Sequence, residues 1–151
     1  MPKLWLFDLD DTLFEASGGM LHKIHLLMTE YICRELNVGR EEASMLRRHY
    51  WSVYGATFLG LWRHHGIDPR DFLSFSHDFD PCPFIHFSGC PARDVKRLAG
   101  LKVVFTNGPR NYAEAVLRAL RLDHVVDGLV ASTGMYALGE WRPKPSRLKF
   151  L

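Results

Sequence analysis

The 151-residue chain, with 47% hydrophobic and 24% charged residues and a formal net charge of +2, has the composition of an ordinary globular protein, which excludes the disordered and fibrous classes. Acids and bases are interspersed without the clustered basic face that a nucleic-acid backbone demands, and no apolar run reaches the about 18 to 20 residues of a membrane span, so neither partner is expected. Three scattered cysteines without a Cys-x-x-Cys pair suggest neither a disulfide framework nor a zinc site, and the start runs directly into a charged motif, so a cytoplasmic location is expected.

Residues 4–7 form a short, wholly apolar run ending on Asp8, the pattern of a strand buried on both faces of a parallel sheet. Over residues 17–66 the period turns helical: Leu21, Ile24, Met28, Tyr31 and Ile32 recur at three- and four-residue steps, as do Leu46, Tyr50, Val53 and Tyr54. Asp68-Pro69 reads as an N-cap followed by proline in the first turn of another short helix. Residues 79–91, with three prolines and Gly89, read as a linker, and Pro91 opens a helix to about Leu98. A second apolar run at 101–105 ends at Thr106-Asn107-Gly108-Pro109. A helix carried by Tyr112, Val116, Leu117 and Leu120 follows, then a third run at 129–131. Strand, helix and strand in this order predict a right-handed parallel crossover and an α/β fold.

The chemistry is concentrated in Asp8-Leu9-Asp10-Asp11-Thr12-Leu13, just past the carboxyl end of the first predicted strand, where ligands bind in open α/β sheets. Three carboxylates in four residues repel one another, and a fold keeps them together most readily when a cation screens the repulsion, with Asp8 and Asp10 placed to lean toward the same ion. A carboxylate is also a competent nucleophile for phosphoryl transfer, and a neighbouring carboxylic acid can protonate the leaving oxygen. The eight histidines give no metal set: His64 and His65 are adjacent and point about 100° apart on a helix, and His22 and His25 lack a third ligand.

The Asp-x-Asp-x-Thr-Leu segment after a strand resembles the first motif of the haloacid dehalogenase superfamily. That resemblance implies a Rossmann-like parallel sheet with an inserted α-helical cap. It makes Asp8 the nucleophile and a magnesium ligand, Asp10 the general acid/base whose carbonyl also meets the metal, and Thr12 a turn-stabilising residue. An acid at Asp10 implies a phosphatase rather than a dehalogenase. Thr106 resembles the second motif, which holds the transferring phosphoryl group, with Asn107 and Gly108 supplying the adjacent backbone. Lys144, in Arg142-Pro143-Lys144-Pro145, resembles the third motif, a lysine that neutralises the phosphoryl charge.

Residues 14–91 fit the cap, leaving 1–13 and 92–151 as the core. Tyr54-Gly55, Gly60-Leu61, His65-Gly66-Ile67-Asp68-Pro69 and Phe105-Thr106-Asn107-Gly108 look most like the pyrimidine 5'-nucleotidase branch. A small phosphorylated substrate is therefore expected, with a pyrimidine nucleoside 5'-monophosphate as first candidate. Tyr50, Trp51, Tyr54, Phe58 and Trp62 are candidates to stack a base, although at helical spacing aromatics are more commonly core. The sequence departs from the pattern after Glu140, beyond which no acidic residue follows. The resemblance thus implies a core missing its C-terminal part and the fourth motif's metal ligand. One alternative reading is a catalytically inactive remnant that retains the fold and only weak phosphate binding; another is a protein that self-associates through an exposed sheet edge.

Overall fold

The computed structural model describes residues 3–86 and 90–144. Strand β1 (Leu4–Phe7) is followed by helices α1 (Met20–Leu36), α2 (Arg40–Tyr54), α3 (Thr57–His65) and α4 (Pro69–Ser76). After a short 3-10 turn, α5 (Pro91–Lys96), β2 (Leu101–Phe105), α6 (Arg110–Ala119) and β3 (Gly128–Val130) complete the α/β unit, and a small hairpin, β4 (Tyr136–Ala137) with β5 (Glu140–Trp141), follows. The three longer strands form one parallel sheet in the order β1-β2-β3. Both the predicted crossover and the α/β class are realised.

The helices start and stop where the side chains dictate. Asp68 accepts the amide of Arg70 at 2.8 Å with Pro69 in the first turn of α4, satisfying an amide that the helix leaves without a partner. Asn37, Gly55 and Gly66 close α1, α2 and α3 in the left-handed conformation that such residues adopt at least cost.

Two apolar clusters result. One packs Met20 and Ile24 of α1 with Val104 of β2 and Tyr112, Val116 and Leu117 of α6. The other gathers Tyr31, Tyr50, Phe58, Leu61 and Phe72 from the four helices and closes on Phe105 and Trp141. The helical layer is therefore joined to the carboxyl end of the sheet by shared side chains. Among the described residues, no helix is long and apolar enough to cross a membrane.

One expectation is corrected. β1 is not buried on both faces: Leu4 and Leu6 remain 58% and 50% exposed. Among the described residues β1 pairs only with β2, so it forms the sheet's edge, and an apolar strand there keeps one side in water. The hairpin was not foreseen, because its turn is Leu138-Gly139 with both residues at positive φ, and leucine is an unusual occupant of the left-handed region. Gly89 of the predicted linker and Pro145 beside Lys144 lie outside the described residues.

Helices α2 and α3 touch through Gly60. A Cβ added there would overlap the ring and Cβ carbons of Tyr50, which is itself buried. Gly60→Ala should therefore destabilise the protein by about 1 to 3 kcal/mol in urea unfolding, against the roughly 1 kcal/mol that alanine's helix propensity would add at an unobstructed position. A neutral or stabilising result would show that the two helices separate at little cost.

Candidate active site

Register places the site. Phe7 of β1 lies opposite Val104 of β2, so Asp8 and Phe105 are the next residues out and Thr106 follows at the same carboxyl edge. Past Asp8 the chain turns sharply. The amides of Thr12 and Leu13 both donate to the Leu9 carbonyl, at 3.3 and 3.0 Å, and Leu9 itself is fully buried. Asp11 sits at φ 56° and accepts the amides of Ala16 and Ser17 at 2.8 and 2.9 Å. The third carboxylate of the motif is thus committed to shaping the turn, which leaves Asp8 and Asp10 for chemistry.

Lys144 reaches this edge from 136 residues away. Its Nζ donates to Asp8 Oδ1 at 2.5 Å and to the Phe105 carbonyl at 2.6 Å, and it lies over the Phe105 ring at 5.2 Å. Its backbone is fixed reciprocally by Asn107: the Lys144 amide donates to Asn107 Oδ1 at 2.9 Å, and Asn107 Nδ2 donates to the Lys144 carbonyl at 3.1 Å. With Asp8 about half exposed, the ion pair adds little to stability; its consequence is direction, since it aims an ammonium at the carboxylate. The Asn107 side chain is occupied in placing Lys144, so any phosphate contact it makes comes from its backbone.

Thr106 is buried, and its Oγ1 accepts the Gly108 amide at 3.0 Å, closing the turn between β2 and α6. A Cβ at Gly108 would lie 3.1 Å from the Tyr112 ring, so a larger residue there needs the ring to shift by a few tenths of an ångström. The Gly108 carbonyl accepts the Ser132 amide at 3.0 Å, tying the turn to the segment after β3.

Asp10 lies deeper than Asp8. Its Oδ1 accepts the Tyr112 hydroxyl at 2.7 Å. Burial pushes its carboxyl up to about 6, with the nearby Asp8 and Asp11 charges adding to the rise, even though the Tyr112 bond acts in the opposite direction. Tyr112 in turn stacks edge-on against His77 at 4.9 Å. His77 is buried, with Nδ1 at 3.0 Å from both the Leu73 carbonyl and the Ser76 hydroxyl. Burial lowers this imidazole to about 4.

A cavity of about 500 Å³ opens from Asp10, Asn107 and Gly108 into the helical layer, where Ile24, Met28, Phe58 and Phe72 form its apolar wall, Arg47 and Arg48 its cationic part, and His25 lies beside them. Of the aromatic candidates, Trp51 and Phe58 line it. Tyr50, Tyr54 and Trp62 do not: Tyr50 and Tyr54 instead hydrogen-bond His65 and His64 at 2.7 and 2.6 Å. Tyr112, His77 and Arg47 were not singled out from the sequence. A buried tyrosine one turn after Thr106-Asn107-Gly108 was the available signal, because its hydroxyl must find a partner.

For a cation, the donors present are Asp8 and Asp10. Among the described residues no group of three or more His, Cys, Asp or Glu comes together. Asp8 Oδ2 meets only the Thr12 hydroxyl, at 3.4 Å, and retains lone pairs. One carboxylate oxygen beside substrate phosphate suits Mg2+, which keeps several waters and takes few protein ligands.

No family model matches the sequence. Among solved structures, the chain is similar to a HAD phosphatase from Thermococcus onnurineus, with 16% identity and a TM-score of 0.51, covering 96% of this chain and 67% of that one. A HAD hydrolase from Bacillus subtilis, bound to magnesium, is similar over 89% of this chain and 65% of that one, at 13% identity and a TM-score of 0.49. The chain thus spans about two thirds of the length of these two structures, and its α/β fold is similar to that of the Thermococcus phosphatase.

Asp10 and His77 oppose each other in acid. Between pH about 4 and 6 native Asp10 holds a proton that the unfolded chain has lost, so its contribution to stability falls as pH rises through that window. Over nearly the same range native His77 lacks a proton that the unfolded chain binds, so its contribution falls as pH drops. Each effect is on the order of 3 kcal/mol when complete. In metal-free buffer, Asp10→Asn should therefore lose about 3 kcal/mol more than the wild type between pH 6.5 and 4 in urea unfolding. Parallel pH profiles for the two proteins would mean that Asp10 titrates normally.

Proposed function

We propose that the protein is a phosphomonoesterase that uses Asp8 as nucleophile. The observation that carries this is the joint placement of Asp8, with the Lys144 ammonium on its Oδ1, and a buried Asp10 whose carboxyl is raised to about 6, close enough to neutrality to exchange a proton. Asp8 Oδ2 attacks phosphorus and the bond to the ester oxygen breaks, giving an aspartyl-phosphate. Asp10 delivers its proton to the departing oxygen, then removes one from the water that hydrolyses the intermediate. Lys144 offsets charge on the phosphoryl oxygens, and the Thr106 hydroxyl, which accepts from Gly108 and keeps its own proton to donate, holds them with the adjacent amides. Mg2+, held by Asp8 and the Asp10 carbonyl, would screen the phosphoryl group from the carboxylate that attacks it. In this reading residues 14–91 are the cap that excludes water, and 1–13 with 92–151 the core.

Hydrolysis of 4-nitrophenyl phosphate in magnesium buffer tests the proposal. Asp8→Asn should abolish turnover, Asp10→Asn should lower it by about 10² to 10⁴, and chelation of the metal should remove it. Full activity in the Asp8 variant would sink the assignment.

A pyrimidine nucleoside 5'-monophosphate is a second, narrower reading, favoured by one observation: Trp51 is 66% exposed and lines the cavity, free to stack a base. Trp51→Ala should then raise KM for such a nucleotide more than for 4-nitrophenyl phosphate. Equal changes for both would remove the base-stacking role.

A further inference from the structure

Tyr112 does more than fill an apolar position of α6. Its side chain is 2% exposed, its ring stands edge-on to His77 at 4.9 Å and tilted against Phe79 at 6.3 Å, and Gly108 closes the remaining side. Packing thus fixes where the hydroxyl sits, and it has two neighbours, Asp10 Oδ1 at 2.7 Å and Met20 Sδ at 2.8 Å. A single phenolic proton serves one acceptor well, and a thioether accepts only weakly, so the hydroxyl donates to the carboxyl group. Asp10 lines the cavity, whereas Tyr112 is not among the residues that do. Oδ1 is therefore taken up on the α6 side. Oδ2, which has no hydrogen-bond partner among the described residues and is not sealed from solvent, is the oxygen left to face the cavity.

A protonated carboxyl group carries its proton on one oxygen and accepts at the other, so a donor fixed on Oδ1 leaves the proton on Oδ2. We propose that Tyr112 is a positioning residue that keeps the Asp10 proton on Oδ2, aimed at the leaving oxygen of the substrate. This rests on the phosphomonoesterase reading and deepens it. As the bond from Asp8 Oδ2 to phosphorus forms and the bond from phosphorus to the ester oxygen breaks, the Oδ2 proton passes to that oxygen; the alcohol departs neutral and Asp10 becomes a carboxylate. The Tyr112 hydrogen bond begins with a neutral acceptor and ends with an ionised one. It therefore strengthens as the proton leaves, and stabilises the transition state more than the bound substrate. The opposite arrangement, with the proton on Oδ1 donated to the phenol oxygen and the phenol donating to Met20 Sδ, would turn the acid away from the substrate.

Two esters of different leaving group test this through kcat/KM, which covers the steps up to release of the alcohol and leaves out hydrolysis of the aspartyl-phosphate. Phenyl phosphate needs a proton on its departing oxygen, whereas 2,4-dinitrophenyl phosphate releases a stable anion. In the full chain in magnesium buffer, Tyr112→Phe, which keeps the ring, should lower kcat/KM for phenyl phosphate about 5- to 20-fold and for the dinitrophenyl ester by less than about twofold, the difference between a neutral and a charge-assisted bond. In the Asp10→Asn background the same substitution should add no further loss with phenyl phosphate, because no acid remains to be aimed. Met20→Leu, which removes the sulfur at nearly constant volume, should keep the wild-type ratio between the two esters. Circular dichroism and retained dinitrophenyl turnover report that the variants fold. Equal losses on both esters, no loss on either, a loss that persists in the Asp10→Asn background, or a changed ratio in Met20→Leu overturns the Tyr112 assignment and leaves the phosphomonoesterase reading standing. A wild-type protein that hydrolyses neither ester overturns that reading and this inference with it.

Discussion

The Lys144 ammonium is the point on which the site depends, because it joins three stretches of chain that local sequence could not bring together. Its two short bonds reach the residue after β1 and the last residue of β2, and its backbone is locked to Asn107 in the turn that follows β2. Parallel strands in register put Asp8 and Phe105 side by side, but nothing in the sheet supplies a positive charge there. That charge comes from beyond the β4–β5 hairpin, where Trp141 is buried against Phe58 and the Arg142 amide bonds the Met135 carbonyl at 2.8 Å. Packing fixes the hairpin, the hairpin sets the exit of the chain, and Asn107 fixes the last step.

Burial divides the two carboxylates into different chemical roles. Asp8 is about half exposed and faces an ammonium, surroundings that suit a charged nucleophile. Asp10, two residues on, lies beyond a buried Leu9 and against Tyr112, where loss of water outweighs the hydrogen bond from the tyrosine. The same apolar surroundings keep His77 neutral. Two titratable groups close together, one favouring its protonated and one its unprotonated form, are the arrangement expected where proton transfer is required.

Much of this was legible in the sequence, and the rest was not for physical reasons. The runs ending at Asp8 and Thr106 and the apolar period of α6 depend on local pattern, and each appears where it was read. The exposure of β1 depends on what lies beside it, which a four-residue run cannot tell. The hairpin escaped because Leu138-Gly139 carries no conventional turn signal. Tyr112 read as one more apolar helix position, since its second role exists only once α6 is laid against the Asp10 turn. Arg47 carries no signal in the local sequence, and only the packing of α2 shows its Nε to be cut off from water.

Asp10 also links the reacting end of the cavity to its helical wall. Loss of water is the largest influence on its carboxyl, and Leu21 of α1 and His77, the residue that caps α4, line the same space. On the proposed chemistry, acid strength and closure are then one variable. Separating the helices from the sheet would admit water and return Asp10 toward its ordinary value, leaving a far smaller fraction in the protonated form that a departing oxygen needs. A substrate that fills the cavity would keep water from Asp10 and so favour its protonated form, and occupation of the leaving-group space and protonation of the departing oxygen become parts of a single equilibrium.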